Sequence, residues 1–454
     1  MKHSTKLLLI FTCINSLLFS AFSAATNEQA IYKDDETFAQ ELDNQDSLKD
    51  FRKKFYIPKH NGKEVIYLNG NSLGLEPKKV LADMTEELND WKELGVEGHF
   101  KANNPWYTYH EQFRPSLAKI VGAKENEVVA MNSLTVNLHL LMISFYQPTK
   151  KCYKILMEAP VFSSDTYAVK SQLALHGFDP EKSLIIVEPK KGKHNIDLDD
   201  IEQILHKNKD QVALVLLSGV NFLTGQAIDI KSISQIVHKH GAFFGVDLAH
   251  AVGNIPLELH DAEVDFATWC SYKYLNAGPG AIAGAFVHEK HVSNPKLKRL
   301  AGWWGNDPKE RFKLHLEKDF TPINSADSWQ VSNPPIFAMV PLKTSLEIFD
   351  QAGMKNLRAK SIKLTGYLEY LLKQIPTQDI EIITSANSEE RGCQLSLLIK
   401  KDAKKFHEYL KQHGITVDFR QPNVIRVAPT PLYNTYHEVW QFAKIVKDYY
   451  EQNK

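Results

Sequence analysis

At 454 residues the chain is long enough for two or three domains with cores of their own. Its 54 basic and 54 acidic residues cancel, so no overall field recruits nucleic acid or an anionic membrane. The four cysteines (Cys13, Cys152, Cys270 and Cys393) have no CxxC or CxxH spacing, which argues against a metal site or a disulfide framework.

In chain order, Lys2 and Lys6 precede an apolar stretch that runs from Leu7 to Phe22 and closes on Ser23-Ala24-Ala25. This is the basic, apolar and small-residue order of a secretory signal over residues 1–25, too short for a stable membrane span. An amphipathic N-terminal helix is the alternative, but 7–18 has little polar interruption. The segment 26–110 opens on a polar, acidic stretch. Seven apolar runs follow, at 127–131, 154–157, 183–187, 212–217, 242–246, 266–269 and 280–287. Several lack polar alternation, as strands buried on both faces of a mostly parallel sheet do. Helical periodicity between them, over 199–207 and 230–240, predicts an α/β large domain over 111–330. After Asn333-Pro-Pro335 the texture changes. Helical patterns at 336–351, 357–374 and 406–413 surround strand-like runs at 381–384, 392–399 and 423–428, which predicts a smaller α+β domain over 331–454.

Asp247 closes the apolar run in Phe244-Gly-Val-Asp247-Leu-Ala-His250, and Lys273 follows the next one in Trp269-Cys-Ser-Tyr272-Lys273-Tyr-Leu-Asn276. A pyridoxal phosphate enzyme needs this pair: a lysine amine to form a Schiff base with the cofactor aldehyde, and a carboxylate to keep the pyridine nitrogen protonated. Read plainly, they are a loop carboxylate and a surface lysine. Asn132-Ser-Leu-Thr135 opens a helix with hydroxyls and free N–H groups, an anion cup or an ordinary N-cap. Phe162-Ser-Ser-Asp165 stands at another strand exit, where Phe162 suits either ring stacking or the core.

With further motifs the chain resembles the kynureninase family over most of residues 60–440. They are Leu68-Asn-Gly-Asn-Ser72-Leu-Gly-Leu, Ser218-Gly-Val, Thr224-Gly-Gln226, Val246-Asp-Leu-Ala-His-Ala-Val-Gly-Asn254, Gly302-Trp-Trp-Gly305, Ser332-Asn-Pro-Pro335 and Ile425-Arg-Val-Ala-Pro429. The resemblance implies fold type I, the aspartate aminotransferase class of pyridoxal phosphate enzymes: a seven-stranded, mostly parallel sheet, a small C-terminal domain and a homodimer with shared sites. It implies hydrolysis of kynurenine or 3-hydroxykynurenine to anthranilate or 3-hydroxyanthranilate plus L-alanine, within tryptophan catabolism and NAD biosynthesis. It makes Lys273 the cofactor lysine, Asp247 the partner of the ring nitrogen and Phe162 the stacking ring. Leu134, Thr135, Asp165, Ser218, His250, Tyr272, Trp303 and Asn333 complete the cofactor pocket. Arg426 holds the substrate α-carboxylate, and His99, Ser72 and Asn333 contact substrate, Asn333 from the partner subunit or a mobile segment. Tyr272 is expected to donate a proton, with its pKa lowered to do so.

Each carried residue also has a plainer reading: Arg426 as an edge-strand ion-pair arginine, His250 as a core histidine, Trp303 and Trp304 as packing, His99 as an exposed loop residue. The chain departs from the family at Gly278-Pro279-Gly280 and at 100–104 (Phe-Lys-Ala-Asn-Asn), which bears on substrate preference. The family is generally cytosolic, so the leader leaves location open between export and cytoplasm. Two rivals stand: another fold type I enzyme (an aminotransferase or a cysteine desulfurase), or a non-catalytic exported homologue. A desulfurase wants a mobile catalytic cysteine, whereas Cys393 sits in an apolar run. A dead homologue has no need for Lys273, Asp247 and Arg426 together.

Overall fold

In the computed structural model, which describes residues 32–294 and 296–453, the seven apolar runs form the seven strands of one sheet. The signal expected over 1–25 lies outside the described residues. The strands are β1 (Val128–Ala130), β2 (Lys154–Glu158), β3 (Leu184–Val187), β4 (Val212–Ser218), β5 (Phe243–Asp247), β6 (Phe266–Trp269) and β7 (Gly284–Val287). Their order is β1-β7-β6-β5-β4-β2-β3, and β7 alone runs against its neighbours. The unbroken apolar runs are explained by burial on both faces. Along β4, Leu214 and Leu216 enter one core cluster while Val215 and Leu217 enter the other, so the sheet divides two cores. Large rings cross the sheet where glycine leaves room. Gly245 pairs with Phe266 and Gly284 with Trp269, and a Cβ on either glycine would collide with the facing ring.

The C-terminal part carries a second, four-stranded antiparallel sheet. Its strands β8 (Ile380–Ile382), β9 (Leu395–Ile399), β10 (Asp418–Arg420) and β11 (Val424–Val427) lie in the order β8-β9-β11-β10. Arg426 is therefore on an inner strand, which corrects the edge-strand reading; a paired strand on each side leaves it no edge. Helices at Ile336–Ala352, Met354–Lys373 and Ala403–Gln412 match the predicted periodicity, and Tyr436–Gln452 closes the chain. Among the described residues no helix is long and apolar enough to cross a membrane.

The N-terminal segment is tied to both sheets. Ile66–Tyr67 pairs in parallel with Ile415–Thr416, and Ala428 N–H donates to Leu68 O at 2.9 Å. Gly74 N–H donates to Tyr272 O at 2.8 Å. A Cβ on Gly74 would strike the Lys273 carbonyl, so this loop packs directly on the lysine loop. Two-residue strands carry no periodicity, and the sequence reading passed over them.

Candidate active site

In open α/β sheets ligands bind at the carboxyl ends of the strands. Here β2 ends on Glu158, β4 on Ser218 and β5 on Asp247, with Ser218 and Asp247 in register. Beside them open the helices α1 (Leu134–Phe145) and α2 (Ser163–Leu175). Between these ends is a cavity bounded by Leu134, Thr135, Phe162, Asp165, Ser218, Asp247, His250, Tyr272 and Lys273. Nine of the predicted site residues therefore converge, although they come from five separate stretches of sequence.

Asp247 is fixed by its own turn, where its Oδ1 accepts from Ala249 N–H at 2.6 Å. Lys273 sits in a tight loop after β6, closed by Asn276 N–H on Lys273 O at 2.9 Å. Its Nζ lies 3.0 Å from His250 Nε2 and 5.9 Å from the Phe162 ring centroid. Burial, and then the Lys273 charge, hold the His250 imidazole well below its usual pKa, so the ring is neutral and Nε2 accepts from Lys273. His250 Nδ1 has no partner, so the satisfied core histidine is not what forms.

The opposite character of the wall is acidic. Burial, and then the neighbouring Asp247, push the Asp165 carboxyl well above its ordinary range, and Asp165 Oδ1 has no hydrogen-bond partner. Behind them Glu158 is also buried, its carboxyl raised to about 6 by burial. Glu158 Oε1 accepts from Ser218 N–H at 3.1 Å and Oε2 has no partner. Among the residues bounding the cavity, Lys273 is the one cationic side chain. A buried carboxyl pair with an unpaired oxygen calls for a cationic N–H donor, the character of a pyridinium. The phosphate end is provided for as well. Thr135 Oγ1 and Ser164 Oγ, 3.0 Å apart, stand in the first turns of α1 and α2, where free backbone N–H groups favour an anion. The residues present fit pyridoxal phosphate.

Five predicted residues do not bound this cavity. Arg426 is fully buried, its Nε donating to Asp418 Oδ2 at 2.7 Å and its Nη1 to Phe222 O at 2.8 Å. Phe222 itself lines the cavity, so Arg426 reaches the wall through that carbonyl. Ser72 is half-buried on the loop that braces Tyr272. The His99 ring packs edge-on against Trp106 at 5.4 Å, with Nδ1 3.0 Å from Val96 O. Trp303 is 39% exposed and Asn333 is exposed. Trp304, by contrast, is packed inside.

The expected lowering of the Tyr272 pKa is not found. Burial, followed by Cys270 and Asp247, raises it, because no cation stands near enough to the phenol to outweigh its desolvation. Sequence reading also missed Ser164, Val220, Phe222, Ala249 and Cys270 among the lining residues. Ser164, Val220, Ala249 and Cys270 lie within the sequence motifs. Phe222 falls between two of them and carries no local signal, and Cys270 is buried at the cavity wall. Cys393 is fully buried, and burial pushes its thiol up to about 12. Outside the cavity, Glu127, His260 and His288 are spaced as metal ligands could be. Yet Glu127 Oε1 already accepts from Glu289 N–H (2.8 Å) and sits 2.9 Å from His260 Nδ1, and Oε2 accepts from Lys124 N–H at 2.8 Å.

The chain is similar to several known proteins. Residues 357–446 match the family model "Kynureninase C-terminal domain", and residues 97–264 match that of the DegT/DnrJ/EryC1/StrS aminotransferase family. The kynureninase of Flavobacterium psychrophilum is 50% identical over 420 residues, covering 92% of this chain and 98% of that protein. The kynureninase of Myxococcus xanthus is 48% identical over 418 residues, again 92% and 98%. Among solved structures, the cysteine desulfurase of Thermococcus onnurineus superposes with a TM-score of 0.73 at 19% identity, over 89% of this chain and 98% of that one. A C-DES variant with glycine covalently linked to its PLP cofactor superposes with a TM-score of 0.71 at 16% identity, over 84% and 96%. At such identities the likeness is one of fold.

Proposed function

The chain belongs to the kynureninase family, and on that premise we propose that it hydrolyses the β,γ carbon–carbon bond of L-kynurenine and 3-hydroxy-L-kynurenine. Its cofactor is pyridoxal 5'-phosphate. The observation that carries the reading is the convergence of Lys273, neutral His250 and the Asp165–Asp247 pair in one cavity. When bound, the cofactor supplies an electron sink for the bond changes at the substrate α-carbon.

The chain's own residues supply the rest. Lys273 Nζ moves the α-proton, and His250 Nε2, 3.0 Å away and uncharged, accepts a hydrogen bond from it without adding a second positive charge. Asp247 holds a proton on the ring nitrogen, and Asp165, kept protonated by burial beside it, limits the charge of the pair to one. Arg426 binds the α-carboxylate through its planar fork, which it must partly turn from Asp418. Water adds its oxygen to the γ-carbonyl carbon, that carbon leaves the β-carbon as the aryl acid, and a proton completes the methyl group of L-alanine. The Tyr272 O–H, held neutral by burial, gives that proton to the β-carbon. The rival desulfurase reading is disfavoured by Cys393, whose buried thiol is a poor nucleophile.

Turnover is read by mixing holoenzyme with kynurenine and following anthranilate fluorescence and L-alanine; protein that forms neither is not a kynureninase. The ring hydroxyl sets the expected preference. Histidine and asparagine side chains such as His99 and Asn333 can both hydrogen-bond a ring hydroxyl, and a site built for such a bond penalises a substrate lacking it. The kcat/KM for 3-hydroxykynurenine should exceed that for kynurenine by about tenfold or more, equivalent to ~1.4 kcal/mol. Equal values in wild type, or an unchanged ratio in Asn333→Thr, would show that the hydroxyl is not read.

Because Asn333 and Trp303 are exposed on the single chain and lie outside its cavity, a homodimer in which one copy completes its partner's site is part of this reading. Residues 1–25 are read as a secretory signal. Protein from its native source should begin near residues 24–26, and N-terminal sequencing that returns Met1 or Lys2 would refute export by this route.

A further inference from the structure

Three distant parts of the chain meet at the side chain of Gln394, just before β9. Its Oε1 accepts from Asn71 Nδ2 at 2.8 Å. Its Nε2 donates to Ser396 Oγ at 2.9 Å and to the Phe222 carbonyl at 3.3 Å. Asn71 immediately precedes Ser72, and Phe222 belongs to the loop leaving β4. Gln394, Asn71 and Ser396 are all buried, so every unused donor or acceptor among them carries a desolvation cost. Gln394 uses its acceptor and both donors.

The Phe222 carbonyl is also what Arg426 Nη1 holds, at 2.8 Å. Its ring stands edge-to-face against Phe162, 5.5 Å between centroids, inside the cofactor cavity. Ser396 pairs directly with Arg426 between β9 and β11, and its hydroxyl donates to Leu223 O at 2.5 Å. On the other side, the loop bearing Asn71 and Ser72 is fastened to the lysine loop by Gly74 N–H on Tyr272 O. One buried amide thus links the carboxylate arm of the site to the loop that braces Tyr272 and Lys273.

We propose that Gln394 is a positioning residue that fixes Arg426 relative to the Ser72–Tyr272 segment, and so sets where a substrate α-carboxylate lies with respect to Lys273 Nζ. The inference rests on the proposed function, since it takes Arg426 as the carboxylate clamp. Without Gln394 the Phe222 carbonyl keeps the Arg426 donor but loses its second one, which ties it to the Asn71 loop, and Asn71 loses its acceptor. Amine binding at Lys273 does not depend on that arm; carboxylate binding does.

The test uses holoenzyme and two ligands read by the change in cofactor absorbance: L-alanine, which has the α-carboxylate, and ethylamine, which lacks it. In Gln394→Met, of similar length but without the donors and acceptor, alanine should bind about tenfold or more weakly and ethylamine within about twofold of wild type. Gln394→Glu keeps the size and the acceptor for Asn71 but loses both donors, and should show the same selective loss; it serves if the methionine variant does not fold. The thermal midpoint, measured alongside, would move with both ligands alike if Gln394 merely held the fold together. Unchanged alanine binding, or equal weakening of both ligands, overturns the inference. A wild type that fails to prefer alanine over ethylamine overturns the Arg426 reading, whereas a preference undiminished in the variants overturns this inference alone.

Discussion

Lys273→Ala protein is expected to fold, to retain cofactor without a covalent link, and to lose kynurenine turnover by at least about 10³-fold, because proton transfer by a positioned group alone contributes roughly 10²–10⁴-fold. The loss combines two roles in one atom. On the proposed function Nζ would take the cofactor aldehyde and move the α-proton, and it stands 3.0 Å from the uncharged Nε2 of His250. Nothing else bounding the cavity can stand in, since no second cationic amine is there. Wild-type holoenzyme should be yellow, and borohydride should fix its cofactor on the peptide bearing Lys273, and on no peptide of the variant. Retention of even a tenth of wild-type activity in Lys273→Ala would refute the assignment.

What the sequence made legible follows from what each residue depends on. The seven strands of the large sheet could be read because burial on both faces leaves an apolar run that needs no partner to be recognised; β4, from Val212 to Ser218, is buried throughout. Asp247 and Lys273 could be read because strand ends in such sheets face the ligand. Ile66–Tyr67 could not, since its meaning lies in pairing with Ile415–Thr416, far along the chain. Phe222 and Gln394 escaped for the same reason. Neither has a motif of its own, and their roles exist only where the β4 loop, the C-terminal sheet and the N-terminal segment meet. Protonation states were the least legible part. Whether the Tyr272 phenol moves up or down depends on desolvation against neighbouring charge, and a sequence states neither.

That dependence on surroundings shapes the second large effect, expected in Asp247→Asn. The amide keeps the shape of the carboxylate and its acceptor for Ala249 N–H, so cofactor binding and KM should change little. What is lost is the charge that holds the ring-nitrogen proton, an interaction that matters most as electron density enters the ring, so the loss should fall on kcat. Removal of one preorganised electrostatic partner typically costs about 10²–10³-fold, and a fall in kcat of that order is expected here. The neighbouring acid sets a floor. In wild type the Asp165 carboxyl is pushed up by burial and then by Asp247, so it keeps its proton to higher pH than an ordinary aspartate. With Asp247 neutral that second cause disappears, the Asp165 pKa falls, and Asp165 can ionise and partly serve the ring nitrogen. The single variant should therefore regain activity as pH rises through the Asp165 titration, and Asp165→Asn with Asp247→Asn should lie well below it above that titration and converge with it below. Wild-type kcat in Asp247→Asn would refute the electron-sink role, and a double variant no worse than the single one would show that Asp165 never carries the charge.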